Sequence, residues 1–369
     1  MIAFWGHLSY FIRDFHEFLI LIVLTIVVCF AGTYFIFKSA LPENRKKLFI
    51  SILFFILSLV LIFSGFEAYF RYKFDQSDAL GFLNTTDRWM ARHVVFNNYQ
   101  VRDRDFQVSK TPGVVRIAVM GDSLAFGYGI KNVNDRFSNI LQDKLNESGY
   151  KVEVYNFGVS GLDTWNELIN YNTKIKQFKP DIVVWEYYLN DAEPKDSKGN
   201  AVLDQVSRET PPFVEFLTNH SFFLDYLYWR FSAIYTNTFN QLKNTDLEQY
   251  YIPAVFKQHV NDIASLSAQL KAENSQTVTV IFPFLRFMPN YPILATQVHQ
   301  KMDKVFANDG VTVIDLLPYL KNKNATDLVV NRWDTHPNEY IHQFVAEKLY
   351  NAIVPMLTKT DQGTFIKTQ

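Results

Sequence analysis

The stretch VRIAVMGDSLAFG, at positions 115–127, decides the fold. Its first six residues form a run that is apolar except for Arg116 and rich in β-branched residues, which is typical of a strand covered on both faces of a sheet. Glycine, aspartate and serine follow at once, so Ser123 stands in a tight turn between a strand and a helix. Free N–H groups and the positive end of such a helix favour an oxyanion beside the serine. An ordinary N-cap serine has the same surroundings, so this motif alone is a weak sign of catalysis.

Similar short runs alternate with longer amphipathic segments along the rest of the chain. The predicted strands are 115–120, 152–157, 182–187, 277–282 and 311–314. The predicted helices are 136–146, 164–178, 256–273, 291–306 and 339–357. This alternation predicts an α/β domain with right-handed crossovers and a parallel sheet of about five strands. Ligands of such sheets bind beyond the carboxyl ends of the strands.

Polar groups follow other predicted strands and the last loop. Gly161 lies in the turn after the second strand, and Asn190 follows the third. His336 precedes the last helix, with Asp334 two positions before it. A histidine there can take the proton of Ser123, while a neighbouring carboxylate fixes its tautomer and stabilises imidazolium. Each residue taken singly also has a plain structural role, as a turn glycine or a helix cap.

This combination resembles the SGNH, or GDSL-type, hydrolase family, whose four sequence blocks contribute serine, glycine, asparagine and histidine in that order. Here the blocks match Ser123, Gly161, Asn190 and His336, and the resemblance covers residues 113–357. It implies a flavodoxin-like three-layer αβα fold, the SGNH hydrolase fold, with Ser123 as nucleophile and His336 as general base. The implied oxyanion hole consists of the Ser123 and Gly161 N–H groups and the Asn190 side chain.

The sequence departs from the family pattern at two positions. Tyr188 stands where the third block usually has glycine. The family's acid commonly precedes the histidine by three positions, where this chain has Trp333, so Asp334 is the acidic candidate. A similar Asp-x-His spacing occurs in SGNH-like enzymes that O-acetylate bacterial polysaccharides. The α/β-hydrolase alternative fits less well, because its Gly-x-Ser-x-Gly elbow requires glycine where Ala125 stands.

Two apolar runs without charges, 18–37 and 48–66, dominate the N-terminal part of the chain. Each is close to the ~20 residues that a helix needs to cross a ~30 Å hydrocarbon core. Buried core helices, or for the first run a cleaved signal peptide, are poorer interpretations. The basic residues between the runs predict a cytoplasmic turn, so that the domain lies outside, with the reverse orientation as the alternative. These residues are Lys38, Arg45, Lys46 and Lys47.

The predicted organisation has three parts. Residues 1–67 form a two-helix transmembrane anchor, and 68–112 form a connector that packs onto the domain. Residues 113–369 form the catalytic domain, with a helical insertion or cap over one sheet edge at about 197–252. Balanced charge without a basic patch argues against a nucleic-acid partner. The single cysteine, Cys29, excludes a disulfide framework, and no motif indicates a metal or a cofactor.

The sequence therefore predicts a membrane-anchored serine acyl-ester enzyme that acts in the periplasm or at the cell exterior. The expected partners are the lipid bilayer, an acyl-ester or carbohydrate substrate of the envelope, and a multi-pass acyl-exporting membrane protein. Hydrolysis, as by an esterase or deacylase, and O-acyl transfer share the acyl-Ser123 intermediate, and the sequence leaves both open. The alternative is a non-catalytic SGNH-like subunit of a membrane complex.

Overall fold

The computed structural model describes residues 2–192, 210–232 and 247–358. Much of the predicted insertion, 197–209 and 233–246, lies outside the described residues, as does the tail 359–369 of the predicted domain. The chain divides into two compact units. One comprises the described parts of Met1–Asp75, Leu83–Thr85 and Thr210–Phe231, and the other comprises those of Gln76–Phe82, Thr86–Glu209 and Ser232–Gln369.

The larger unit is built on a five-stranded sheet in the order β2-β1-β3-β4-β5. Its strands are β1 (Val115–Met120), β2 (Val152–Asn156), β3 (Ile182–Tyr188), β4 (Gln276–Phe282) and β5 (Thr312–Asp315). All neighbouring strands run parallel. This is the flavodoxin-type order, and it confirms the predicted fold class. The strand order reverses at β1, so the carboxyl ends of β1 and β3 border the expected ligand crevice.

The described helices cover both faces of this sheet or form the N-terminal unit. In chain order they are α1 (Ile2–Lys38), α2 (Glu43–Tyr72), α3 (Asn84–His93), α4 (Ser123–Phe126), α5 (Phe137–Glu147), α6 (Thr164–Asn170), α7 (Pro212–His220), α8 (Phe222–Phe231), α9 (Leu247–Tyr250), α10 (Pro253–Ala272), α11 (Ile293–Asn308), α12 (Leu317–Leu320) and α13 (Glu339–Thr358).

Two apolar cores lie on the two faces of the sheet, because successive strand side chains point to opposite sides. Ile117 and Val119 of β1 contribute to the core covered by α5 and α13. Ala118 and Met120 contribute to the core covered by α10 and α11. Both faces of β1 are buried, as the apolar run at 115–120 predicts.

The N-terminal unit contains two helices that are long and apolar enough to cross a membrane, Phe15–Lys38 and Glu43–Tyr72. Only 6% of the apolar window of each helix is buried in the structure. A core helix of a soluble protein would instead be mostly buried, because its apolar side chains pack against other elements. The two helices form the candidate hairpin that precedes the α/β domain.

The predicted helical insertion at about 197–252 is described in part, as α7, α8 and α9. Thr210–Phe231 belongs to the N-terminal unit. The reason is Glu67 of α2, which is fully buried and accepts the N–H groups of Phe222 and Phe223 at 3.0 and 3.1 Å. A carboxylate at these free donors satisfies the start of α8 and complements its dipole. The ring of Phe223 also stacks on Phe66, with centroids 4.9 Å apart.

Candidate active site

Ser123 is the first residue of α4, immediately beyond the end of β1. The helix is capped by Asp122, whose side chain accepts the N–H of Leu124 at 2.7 Å. The ordinary N-cap role therefore belongs to Asp122, and the Ser123 hydroxyl is left for another partner. As a residue of the first helical turn, Ser123 also has an N–H with no acceptor inside its own helix.

That partner is His336. The Ser123 Oγ donates to His336 Nε2 at 2.9 Å, and His336 Nδ1 donates to Asp334 Oδ1 at 2.5 Å. The same carboxylate oxygen accepts the backbone N–H of His336 at 3.1 Å, which explains how a spacing of two residues suffices. The structure thus brings together the three residues that the sequence predicts as nucleophile, base and acid, in the order required for proton transfer.

The charges along this chain are set by competing effects. Burial raises the pKa of Asp334, but the charge of His336 and hydrogen bonds from His336 and Ser77 outweigh it, so the pKa lies below its usual value. Burial lowers the pKa of His336, yet the charge and hydrogen bond of Asp334 reverse the effect and raise it above 6.5. The arrangement favours a carboxylate beside a histidine of increased basicity, as a general base requires.

Gly161 lies in the turn between β2 and α6, and β2 is a direct neighbour of β1. Its φ of +81° is a left-handed conformation, which explains the glycine. A Cβ added there would meet no atom within 4 Å, so the position faces open space. Among the described residues, no hydrogen bond occupies the Gly161 N–H. This N–H is therefore free to donate to a ligand.

Asn190 lies in a short 3₁₀ turn, Leu189–Ala192, at the end of β3, the other neighbour of β1. Its buried Oδ1 has no hydrogen-bond partner among the described residues. Tyr188, which replaces the expected glycine, donates its N–H to Asp191 at 2.7 Å and packs its ring edge-on against Phe284. Tyr188 is therefore part of the hydrogen bonding and packing of this turn, and Asn190 still directly follows the end of β3.

A comparison with protein-family models gives a match over residues 119–344 to the GDSL-like Lipase/Acylhydrolase family. The match covers more than half of the chain and includes Ser123, Gly161, Asn190, Asp334 and His336. The chain belongs to the GDSL-like Lipase/Acylhydrolase family.

Solved structures of similar fold include TesA, with 16% identity over 65% of this chain and 99% of that chain, at a TM-score of 0.42. The esterase EstA from Pseudoalteromonas sp. has 15% identity over 66% of this chain and 99% of that chain, at a TM-score of 0.41. The lipase/acylhydrolase from Enterococcus faecalis has 16% identity over 66% of this chain and 96% of that chain, at a TM-score of 0.42. A comparison with curated proteins found no match. The family assignment rests on the family model.

A pair of buried carboxyl groups behind the nucleophile of this GDSL-like chain was missed by sequence reasoning. Glu186 of β3 accepts the N–H of Asp122 at 3.0 Å. Burial raises the pKa of Glu186 well above its usual value, as do the charges of Asp122 and Glu167. The raised pKa favours the neutral form of Glu186. Gly121 is required here, because a Cβ would lie 2.7 Å from the Cβ of Glu186.

Two further sets of contacts near the GDSL-like site have no local sequence signal. The ring of Tyr128 lies against that of His336, with centroids 4.7 Å apart. Arg102 donates to the carbonyls of Gly127 and Ile130 at 2.6 Å, and thereby holds the loop after α4. Burial, together with the charge of Arg136, lowers the pKa of Arg102 to about 9. Only tertiary structure brings this connector arginine to the loop.

Within the described residues, no group of three or more histidine, cysteine or acidic side chains could hold a metal ion. His342, on α13, accepts the N–H of Phe137 through Nδ1 at 3.1 Å. Its burial lowers its pKa to about 3, aided by the charges of Arg136 and Arg102. His342 therefore has a structural role as a neutral acceptor.

Proposed function

We propose that this chain is a membrane-anchored serine acyl-ester enzyme that acts outside the cytoplasm through a covalent acyl-Ser123 intermediate. The observation that carries the proposal is the hydrogen bond from Ser123 Oγ to His336 Nε2 at 2.9 Å, backed by Asp334 at 2.5 Å. Membership of the GDSL-like Lipase/Acylhydrolase family supports the same chemistry.

In the first half-reaction, Ser123 Oγ attacks the acyl carbonyl carbon while its proton passes to His336 Nε2. Asp334 stabilises the imidazolium that forms. The carbonyl oxygen becomes an oxyanion, which accepts hydrogen bonds from the N–H groups of Ser123 and Gly161 and from the Asn190 amide. The bond to the leaving oxygen then breaks, and His336 gives that oxygen its proton. The products are acyl-Ser123 and a free alcohol.

In the second half-reaction, His336 removes a proton from the acyl acceptor, whose oxygen attacks the acyl carbon. The bond from that carbon to Ser123 Oγ then breaks, and His336 returns the proton to Oγ. With water the outcome is hydrolysis, as in an esterase or deacylase; with a sugar hydroxyl it is O-acyl transfer. The family supports hydrolysis, while the anchor favours substrates of the cell envelope, either glycans or lipids. A multi-pass membrane protein that exports acyl groups would be a fitting donor partner for the transfer reaction.

The proposed orientation rests on the basic residues beside the turn between α1 and α2, since Arg45, Lys46 and Lys47 lie at the start of α2. It can be tested in a Cys29→Ser background with single cysteines at two exposed positions. A membrane-impermeant maleimide should label Asn322→Cys in the domain of intact cells and leave Ala40→Cys in the turn unlabelled. The opposite pattern would place the domain in the cytoplasm.

The activity itself is tested with an acetyl-ester donor, supplied to the full-length protein with and without an oligosaccharide acceptor. Ser123→Ala is the matched control. The proposal predicts acetate release by the wild type and none above background by the control. Acetylated oligosaccharide would indicate transfer, and acetate alone would indicate an esterase. Equal turnover by wild type and control would refute the proposal and favour the non-catalytic subunit.

A further inference from the structure

The second carboxylate oxygen of Asp334 has a partner that lies far away in the sequence. Asp334 Oδ1 faces His336, whereas Asp334 Oδ2 accepts a hydrogen bond from the Ser77 hydroxyl. Asp334 is 0% exposed and Ser77 is 1% exposed, so water does not compete for this bond. Ser77 lies outside the family match at 119–344 and follows the last residue of α2, Tyr72, by five positions.

Backbone contacts fix Ser77 in front of the loop that carries Asp334. The Ser77 carbonyl accepts the side-chain amide of Asn331 at 3.2 Å. Two residues further on, the N–H of Ala79 donates to the carbonyl of Trp333 at 3.0 Å. Asn331 also accepts the N–H of Asp334 at 3.0 Å. The segment around Ser77 and the loop before His336 are therefore bonded to each other on both sides of the Ser77–Asp334 contact.

A second set of contacts fixes the conformation of the segment itself. The Asp78 carboxylate accepts the N–H groups of Leu80 and Phe82 at 3.0 and 3.2 Å. It also accepts the hydroxyl of Thr86 at 2.8 Å. Asp78 is fully buried, so these bonds satisfy a group that would otherwise be costly to bury. The turn at 78–82 thus determines the direction in which Ser77 enters the site.

We propose that Ser77 is a positioning residue of the catalytic centre, which acts through Asp334 on His336. The inference rests on the proposed function. Both bonds from His336 fall on Asp334 Oδ1, so a carboxylate held through that oxygen alone can still rotate, whereas a donor on each oxygen fixes its plane. Ser77 thereby keeps Oδ1 directed at His336 Nδ1 and stabilises the negative charge. Ser77, which precedes the residues matched by the family model, thus completes a site whose other members lie within that match.

Removal of the Ser77 hydroxyl should shift the acid limb of kcat/KM in a predictable direction. The bond is worth more when Asp334 faces neutral imidazole than when it faces imidazolium, which already neutralises part of the charge. Without Ser77 the Asp334–His336 pair binds its proton more tightly, and the acid limb of kcat/KM moves to higher pH. Ser77→Ala substitutes none of the other titratable residues near the pair, which are Asp78, Asp122, Tyr128 and His342.

The test compares kcat, KM and the pH profile of acetyl-ester hydrolysis for the full-length wild type, Ser77→Ala and Ser77→Thr. We expect kcat to fall by about 10-fold in Ser77→Ala, since a bond to a charged group is lost. KM should stay unchanged and the acid limb should rise. Ser77→Thr keeps the hydroxyl and should restore kcat. The matched control is Ser275→Ala, which removes a buried hydroxyl that donates to the Pro180 carbonyl. Ser275 immediately precedes β4, so it lies at the amino ends of the strands, opposite the site.

A folded Ser77→Ala protein with wild-type kcat and an unshifted acid limb would overturn the inference, as would a Ser77→Thr protein no better than the alanine variant. If the alanine variant does not fold, Ser77→Cys keeps the side-chain shape with a slightly larger atom and offers only a weak donor. Wild-type kcat in that variant would also contradict the proposed role. Failure of the proposed function is recognised separately, because Ser123→Ala would then turn over substrate as fast as the wild type.

Discussion

Two buried carboxyl groups flank the nucleophile, and they differ in charge although both are fully buried. Asp334 lies on the His336 side of Ser123, and Glu186 lies behind the turn at the end of β1. Burial raises the pKa of both. For Asp334, the charge of His336 and the Ser77 hydroxyl reverse this increase in pKa. For Glu186, the acidic neighbours Asp122 and Glu167 raise the pKa further. The neighbouring groups therefore decide the charge of each carboxyl group, and burial alone does not.

The difference in charge matches a difference in task. Charged Asp334 raises the basicity of His336 and orients its ring. Glu186, whose raised pKa favours the neutral form, accepts the Asp122 N–H and so holds the turn that presents Ser123. One carboxyl group acts on the proton transfer and the other on the geometry of the nucleophile. Substitutions that keep the shape and change only the charge separate these two roles.

The largest expected effect is that of Asp334→Asn. The amide cannot act as an anionic acceptor for His336 Nδ1–H, so the histidine takes the wrong tautomer toward Ser123. We expect kcat to fall by about 10⁴-fold, as in other serine triads whose acid is replaced by its amide. Steady-state hydrolysis of an acetyl ester measures it. Unchanged turnover would remove Asp334 from the catalytic centre.

Glu186→Ala should affect stability more than chemistry. It leaves the buried N–H of Asp122 without an acceptor and opens a cavity behind the turn. We expect a loss of about 1–3 kcal/mol in the free energy of unfolding from the unsatisfied N–H, with a further loss from the cavity. Denaturant unfolding measures it, and Glu186→Gln is the control, since its amide oxygen can still accept the Asp122 N–H and its side chain still fills the space. Equal destabilisation by alanine and glutamine would contradict a neutral Glu186.

The pH dependence of activity follows from the raised pKa of His336. The neutral imidazole is the active base, so kcat/KM should rise with pH through a pKa above 6.5. The His336–Asp334 interaction also stabilises the folded protein, and this stabilisation changes with pH in the opposite direction to the activity. It is complete below the unfolded-state pKa of His336 and is lost as pH rises through the folded-state pKa of His336. An acid limb below 6.5 would show that Asp334 does not act on His336.

The smallest expected effect is the pH dependence of stability due to Glu186. The folded-state pKa of Glu186 is raised, so its contribution to stability is complete below the unfolded-state pKa of 4.5. This contribution is lost as pH rises toward the folded-state pKa. The unfolding free energy of wild type minus that of Glu186→Gln should therefore decrease as pH rises above 4.5. A constant difference across this range would mean that Glu186 is ionised in the folded protein.

The sheet and the strand ends could be predicted because their signals are local. The predicted strand 115–120 is identical to β1, and Ser123 follows it by three positions. The predicted helix 164–178 shows the limit of periodicity, since α6 ends at Asn170 and a π turn and a 3₁₀ turn complete the segment. An amphipathic pattern persists through such turns, because the side chains keep nearly the same face.

Contacts between distant segments could not be predicted. Ser77 and Asp334 are 257 positions apart, and Glu67 and Ser221 are 154 apart. A polar residue in a connector has no pattern that indicates its partner, whereas Asp334 could be inferred from its distance of two residues to His336. The sequence thus identifies the reacting groups, while the residues that fix their geometry appear only in three dimensions.

The central claim is that Ser123 is a nucleophile activated by His336. The most direct measurement is the intact mass of the full-length protein after treatment with a fluorophosphonate, with Ser123→Ala and His336→Ala in parallel. The account predicts one adduct per wild-type chain on the peptide that contains Ser123, none on Ser123→Ala, and much slower labelling of His336→Ala. A folded wild type that takes no label, or an adduct that survives Ser123→Ala, would contradict it.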